Sequence, residues 1–160
     1  MSEKVRVLFV CLGNICRSPT AQGVFEQAVD AAGLRPLIEV DSCGTGSWHV
    51  GKAPDSRAVE AASRRGIDIS HLRARQFQPA DLASFDFILV MDQQNLADVR
   101  EHWHREGGTE PELFLDYADG DGPAEVPDPY YGGAHGFERV LDMIESASQG
   151  LIATIREKQA

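Results

Sequence analysis

The chain has 160 residues, with 15 Lys and Arg against 25 Asp and Glu, and a formal net charge of -10. At this length one domain, residues 1–160, is expected, and burying about 68–70% of the unfolded surface gives a core that needs no metal or disulfide staple. A hydrophobic share of 42% and a charged share of 25% exclude a disordered chain, no apolar run reaches the ~18 residues of a membrane span, and the acidity argues against nucleic acid as a partner. Three cysteines, an odd number, argue against a disulfide framework. Met1–Val5 also leads directly into an apolar run without a signal-peptide layout, so a cytoplasmic protein is expected.

Val5-Arg6-Val7-Leu8-Phe9-Val10 is a short, β-branched apolar run of the kind that becomes a buried central strand. After a Gly-containing turn, Ser18-Pro19 opens a helix with Ala21, Val24, Phe25, Ala28 and Val29 on one face, ended by Gly33. Leu37–Val40 reads as a second strand, followed by a loop from Ser42 to Pro54 and a helix capped by Asp55 and stopped near Gly66. Phe85–Met91 is a third strand, with Asp92 capping a helix that carries Leu96, Val99 and Trp103. Glu112–Leu115 is a weaker fourth strand, and a Gly/Asp/Pro-rich loop runs from Asp116 to Gly133. The last helix places Phe137, Val140, Leu141, Ile144, Leu151 and Ile155 on one face. Strands alternating with helices predict an α/β protein: a single three-layer domain with a four-stranded parallel sheet and helices on both faces. Ligands of such sheets bind outside the carboxyl ends of the strands, so the chemistry should lie on the strand-to-helix loops.

The first of these loops reads Cys11-Leu12-Gly13-Asn14-Ile15-Cys16-Arg17-Ser18. Between a buried strand and a helix N-terminus, successive backbone N–H groups converge and the helix dipole favours an anion. Gly13 removes bulk from this cradle, Asn14 tolerates a left-handed backbone, and Arg17 adds a planar fork matched to two phosphate oxygens. A cysteine in that field is expected to ionise below its usual ~8.5 and serve as a thiolate nucleophile. The competing reading is a buried strand-end cysteine with an arginine capping nearby backbone. Displacing an oxygen leaving group from phosphorus also needs a proton donor, and Asp128, ahead of Pro129 in the fourth loop, is the candidate. On spacing alone it is equally one more acid in an acidic loop. Nine acids and only Arg105 fall between Glu101 and Tyr130, a stretch expected to be a solvated loop.

Val10-Cys11-Leu12-Gly13-Asn14-Ile15-Cys16-Arg17-Ser18-Pro19, with Asp128-Pro129-Tyr130, resembles the low-molecular-weight protein tyrosine phosphatase family. The similarity extends from Val5 to the last helix through Asp41-Ser42, Trp48, Pro54–Ala58, His71, Ala74-Arg75-Gln76 and Met91-Asp92. The resemblance implies a flavodoxin-like fold and metal-independent hydrolysis of protein phosphotyrosine through a phosphocysteine intermediate, with no cofactor. Cys11 would be the nucleophile, Arg17 the phosphate clamp, and Asp128 the general acid and then base. Leu12, Gly13, Asn14, Ile15, Cys16 and Ser18 would complete the phosphate-binding loop, with Ser18 bonding the thiolate. Asn14, Ser42 and His71 would form the network that holds the loop, and Cys16 would be the redox partner of Cys11.

Trp48, Tyr130 and Tyr131 would form the substrate rim, giving the pocket apolar walls suited to a phenyl ring. The implied partners are phosphotyrosine-containing proteins, with no nucleic acid and no membrane insertion; a monomer is expected, with a weak dimer as the alternative. Three rival readings remain. An arsenate reductase of this fold would need a downstream cysteine pair, and none follows Cys43. A phosphoarginine phosphatase would carry Thr where Ile15 stands, and a non-catalytic phosphopeptide-binding module would keep the cradle without turnover. A metal site is not expected: His102 and His104 at i, i+2 diverge on a helix, and Cys11 and Cys16 lack further zinc ligands. The acids between Glu110 and Glu125 are expected near the site, where they would favour basic over acidic phosphopeptides.

Overall fold

A computed structural model describes residues 4–103, 107–118, 124–129 and 134–159. Strand β1 (Val5–Cys11) leads into helix α1 (Arg17–Ala31), then β2 (Ile38–Gly44), α2 (Ser56–Ser63), the single turn α3 (Asp81–Ser84) and β3 (Phe87–Val90). Helix α4 (Gln93–Arg100), β4 (Pro111–Leu113) and the long α5 (Ala134–Gln159) complete the chain. The sheet order is β2-β1-β3-β4 and every pairing is parallel, giving the predicted flavodoxin-like α/β domain.

The apolar run of β1 supplies both faces of the sheet because side chains alternate along a strand. Val5, Val7, Phe9 and Cys11 join the core beneath α1 and α5, while Leu8 and Val10 join the opposite core beneath α3 and α4. Phe9 packs edge-on against Phe25 of α1 at 5.6 Å and against Phe114 at 4.9 Å, so one strand residue ties helix, sheet and the fourth-strand region together. Truncating such a side chain typically costs about 3–5 kcal/mol. The predicted apolar face of α5 is buried throughout. Gly150 lets that helix approach the Tyr117 carbonyl, where a Cβ would collide with backbone.

Several boundaries differ from expectation, and β3 is shorter than Phe85–Met91, running only over Phe87–Val90. Strand β2 runs on through Ser42 and Cys43, so Ser42 is a strand residue rather than a loop residue; in-register pairing of Phe9 with Ser42 and Val10 with Cys43 extends it. Leu37 lies in a 3-10 turn (Arg35–Leu37) instead of the strand. Strand β4 ends at Leu113, and Phe114–Tyr117 curls into another 3-10 turn. Trp103 follows α4 and packs at the edge of the second core. The caps behave as expected: Asp55 accepts from the Arg57 amide at 2.9 Å and Asp92 from the Asn95 amide at 2.8 Å. From β1 the chain turns one way to β2, and β3 lies on the other side. The crevice at the carboxyl end of β1 is therefore the topological switch point where ligands of open α/β sheets bind.

Candidate active site

Cys11 is the last residue of β1, and residues 12–16 swing from it to the first turn of α1. Asn14 is the single non-glycine residue with positive φ, 58°, among the described residues, a conformation that asparagine adopts more readily than most. The turn at Asn14 brings its own backbone N–H to the Cys11 sulfur at 3.2 Å. Outside the loop, the Cys11 and Leu12 carbonyls accept from the amides of Thr45 and Gly46 at 2.9 Å each, and the Ile15 carbonyl accepts from Asp55 at 2.8 Å. With its carbonyls tied outward, the loop presents amides to an anion. Gly44 makes this possible, since a Cβ there would stand 2.7 Å from the Leu12 oxygen and 3.0 Å from the Asn14 nitrogen.

The Asn14 side chain fastens the loop to the fold. Its amide donates to Ser18 Oγ at 2.7 Å and Ser42 Oγ at 3.1 Å, and its carbonyl oxygen accepts from the Arg75 backbone N–H at 3.0 Å. Ser42 in turn donates to Gln22 Oε1 at 2.7 Å. Ser18 Oγ is 2.9 Å from Cys11 Sγ, so a hydroxyl and an amide both meet the sulfur, as a thiolate nucleophile requires. Ser18 lies inside α1; Cys16 occupies the capping position and makes no side-chain cap bond. His71, expected in this network, is exposed and makes no hydrogen bond to the loop among the described residues. It sits in the turn closed by Leu72 N–H to the Ile69 carbonyl, and the chain reaches the loop only four residues later, through the Arg75 amide.

Arg17 is buried, with 4% of its side chain exposed. Its Nη1 donates to Asp92 Oδ2 at 2.6 Å and to the Val126 carbonyl at 3.1 Å, while Nη2 stands 4.0 Å from Asp128 Oδ2. Burial alone would lower the guanidinium pKa, but Cys11, Asp92 and Asp128 outweigh it and hold the charge above the ordinary range. Cys16 behaves oppositely. Burial first, then the negative charges of Asp55, Asp128 and Cys11, push its pKa up to about 12, so it is a neutral thiol at physiological pH. All three cysteines are free and buried.

A pocket of about 190 Å³ gathers Cys11, Leu12, Gly13, Ile15, Cys16, Arg17, Trp48, His49 and Asp128. The structure thus brings the predicted nucleophile and clamp, which share one loop, together with the predicted acid from a segment distant in sequence. Trp48 lines the pocket and is 67% exposed, its ring lying over Gly46 where a Cβ would collide with it. Tyr130 and Tyr131 lie outside the described residues. Two residues of the site escaped sequence reasoning. Asp92 was legible as a helix cap and as part of the family resemblance but with no role beside Arg17, although its place at the carboxyl end of β3 marks the ligand-binding edge. His49 packs on Gly13, its Cδ2 only 3.0 Å from where a Cβ would stand, and its Nδ1 is buried without a partner among the described residues. No local pattern around His49 signals that contact. Among the described residues no group of three or more His, Cys, Asp and Glu is placed to hold a metal, and no helix is long and apolar enough to cross a membrane.

Comparison with known proteins agrees with this geometry. The low molecular weight phosphotyrosine protein phosphatase from Schizosaccharomyces pombe is 42% identical over 156 residues, covering 97% of this chain and 99% of that protein. The crystal structure of YfkJ from Bacillus subtilis superimposes with a TM-score of 0.93 at 38% identity over 99% of each chain. An arginine phosphatase from Drosophila shares the fold at a TM-score of 0.86 and 27% identity, over 93% of this chain and 96% of that one. The family model for low molecular weight phosphotyrosine protein phosphatases matches residues 6–160, and this chain belongs to that family.

Proposed function

We propose that this protein hydrolyses protein phosphotyrosine, and small aryl phosphates, through a phosphocysteine intermediate, with residues 1–160 acting as one catalytic unit. The observation that carries this reading is the convergence of Cys11, Arg17 and Asp128 on one pocket. Phosphate would sit in the loop with Arg17 and the backbone amides on its oxygens, where charge builds in the transition state. The Cys11 thiolate attacks phosphorus, the bond from phosphorus to the phenolic oxygen breaks, and the protonated Asp128 carboxyl delivers its proton to that oxygen. Water then attacks the phosphocysteine while the Asp128 carboxylate takes its proton. The S–P bond breaks, phosphate leaves and the thiolate returns.

Leu12, Ile15 and Trp48 among the lining residues suit an aromatic ring, and the apolar Ile15 favours it over a guanidino group. Arg17 and the loop amides supply the positive charge for which other phosphatases recruit metal ions. Cys16, beside Cys11 in the pocket lining, fits a redox partner that would trap an oxidised nucleophile as a disulfide. The free state of Cys11, Cys16 and Cys43 suits work in the reducing cytoplasm on phosphotyrosine proteins.

The test is hydrolysis of p-nitrophenyl phosphate and of phosphotyrosine and phosphoarginine peptides in EDTA. Wild type should release phosphate from the aryl substrates in preference to phosphoarginine, and Cys11→Ser should lower turnover by at least ~10³-fold. Activity that survives Cys11→Ser would remove the mechanism, and retention of phosphotyrosine peptide without phosphate release would mark a binding module.

A further inference from the structure

Behind Trp48 the rim opens into a second groove of about 340 Å³. It shares Leu12 and Trp48 with the catalytic pocket and continues past Thr45 and Phe77 to Asp98 and Glu101. Leu12 and Trp48 are among the few large apolar side chains exposed on the described surface. Asp98 and Glu101 stand three residues apart at the end of α4, a spacing that puts them on one helix face. Asp98 accepts a hydrogen bond from the Gln94 amide at 3.0 Å, and neither acid forms an ion pair among the described residues. Arg100, between them in sequence, pairs with Glu110 instead at 3.5 Å. Thr45 Oγ1, also in the groove lining, is buried without a hydrogen-bond partner among the described residues. His102 completes this wall with its ring against Phe77, 6.0 Å between centroids.

We propose that this groove is a specificity subsite that takes the Lys or Arg side chain of a residue flanking the phosphotyrosine, an inference that rests on the phosphatase reading above. The pairing follows from the chemistry of such a side chain, which has an apolar stem and a cationic head. The stem lies along Leu12 and Trp48, the indole face adds a cation–π contribution, and the head reaches the two carboxylates. An acidic flanking residue meets the same two charges as repulsion, so the groove selects in both directions. Three acids of the stretch from Glu110 to Glu125 are engaged elsewhere: Glu110 with Arg100, Glu112 with the Tyr117 hydroxyl at 2.6 Å and Glu125 with the Gln93 amide at 2.7 Å. The acids that line the groove itself are Asp98 and Glu101.

The experiment uses phosphotyrosine peptides that differ only by Lys, Ala or Glu at one flanking position at a time. The kcat/KM ratio of the Lys to the Glu peptide is measured within each enzyme preparation, so that differences in active fraction cancel. At ~0.01 M ionic strength, where charges interact over about 30 Å, wild type should favour Lys at one flank by about tenfold, mainly through KM; 1 M salt should shrink the ratio towards one. Asp98→Asn with Glu101→Gln should bring the ratio to about one at low salt, and Asp98→Lys with Glu101→Lys should invert it. Brisk turnover with a wild-type ratio of one, or a preference that survives the double substitution, overturns the subsite alone. A wild type that cleaves neither these peptides nor p-nitrophenyl phosphate overturns the phosphatase reading and the subsite with it.

Discussion

Arg17 faces two carboxylates, one held tightly against it and one held loosely, and the contrast bears on which could carry the proposed acid role. Asp92 is 2.6 Å from Nη1, with 24% of its side chain exposed, and its other oxygen caps α4 through the Asn95 amide. Both of its oxygens are committed to fixed donors, so it sets the angle at which the guanidinium enters the pocket. Asp128 stands 4.0 Å from Nη2, at the outer limit of an ion pair, with 38% of its side chain exposed. A group that must carry a proton to a leaving group and later take one from water needs solvent access and cannot be locked to a permanent cation. One acid positions the arginine, and the other keeps the solvent access that its proposed proton exchange with substrate requires.

The sharpest way to break this pair is Asp128→Ala. Phosphotyrosine peptide turnover should fall by about 10²–10⁴-fold, the usual contribution of a positioned acid. p-Nitrophenyl phosphate, whose leaving group needs less protonation, should lose much less; equal losses on both substrates in steady-state assays would argue against the acid role. Asp92→Asn keeps the cap and removes the charge, so it should leave the fold intact while costing about 10- to 100-fold in kcat, the scale of a slightly misplaced catalytic group. Asp92→Ala should add about 1 kcal/mol of instability from the lost cap, read by urea denaturation.

The network behind the loop offers a finer contrast. Ser42→Ala removes one of the two acceptors of the Asn14 amide and the donor to Gln22 Oε1 and should cost about 1–3 kcal/mol, whereas His71→Ala, on the surface, should fall within about 0.5 kcal/mol of wild type. The smallest effect compares the two loop thiols. Cys16 holds its proton to about 12 in the folded protein against an ordinary 9.0. The unfolded chain therefore loses that proton first, and the stability Cys16 contributes, complete below pH 9, fades as pH rises towards 12. Cys43 and Tyr117 are raised for the same first reason, burial, and add to the same alkaline decline. Thermal midpoints measured between pH 8 and 12 should fall, and Cys16→Ala should flatten part of that slope.

Much of the site could be read from neighbours in sequence. Cys11, Asn14, Arg17 and Ser18 fall within one strand-to-helix loop, where a glycine, a left-handed asparagine and a helix start already describe an anion cradle. Asp128 needed the family resemblance, because an acid before proline in an acidic loop has no local signature of catalysis. Ser42 bonds Asn14 from strand β2 rather than from a loop, since the strand is prolonged by its pairing with Phe9 and Val10, which lie far from it in sequence. His71 makes no hydrogen bond to the loop among the described residues; the contact that reaches Asn14 from this segment is a backbone N–H, that of Arg75, and backbone donors carry no residue identity to read.

Alternation along Val5–Cys11, the helical spacing of α1 and α5, the caps Asp55 and Asp92, and the Cys11–Ser18 loop are local features. Each depends on dihedral preferences and burial within a few residues, and each was present in the residue order. The partners of the site are not local. Asp92 lies 75 residues from Arg17, the Val126 carbonyl 109 residues away, and the Arg75 amide 61 residues from Asn14. Those meetings, with His49 over Gly13 and the groove between Trp48 and Glu101, arise when parallel strands bring their carboxyl ends to one edge, and burial then decides which polar atoms must find each other.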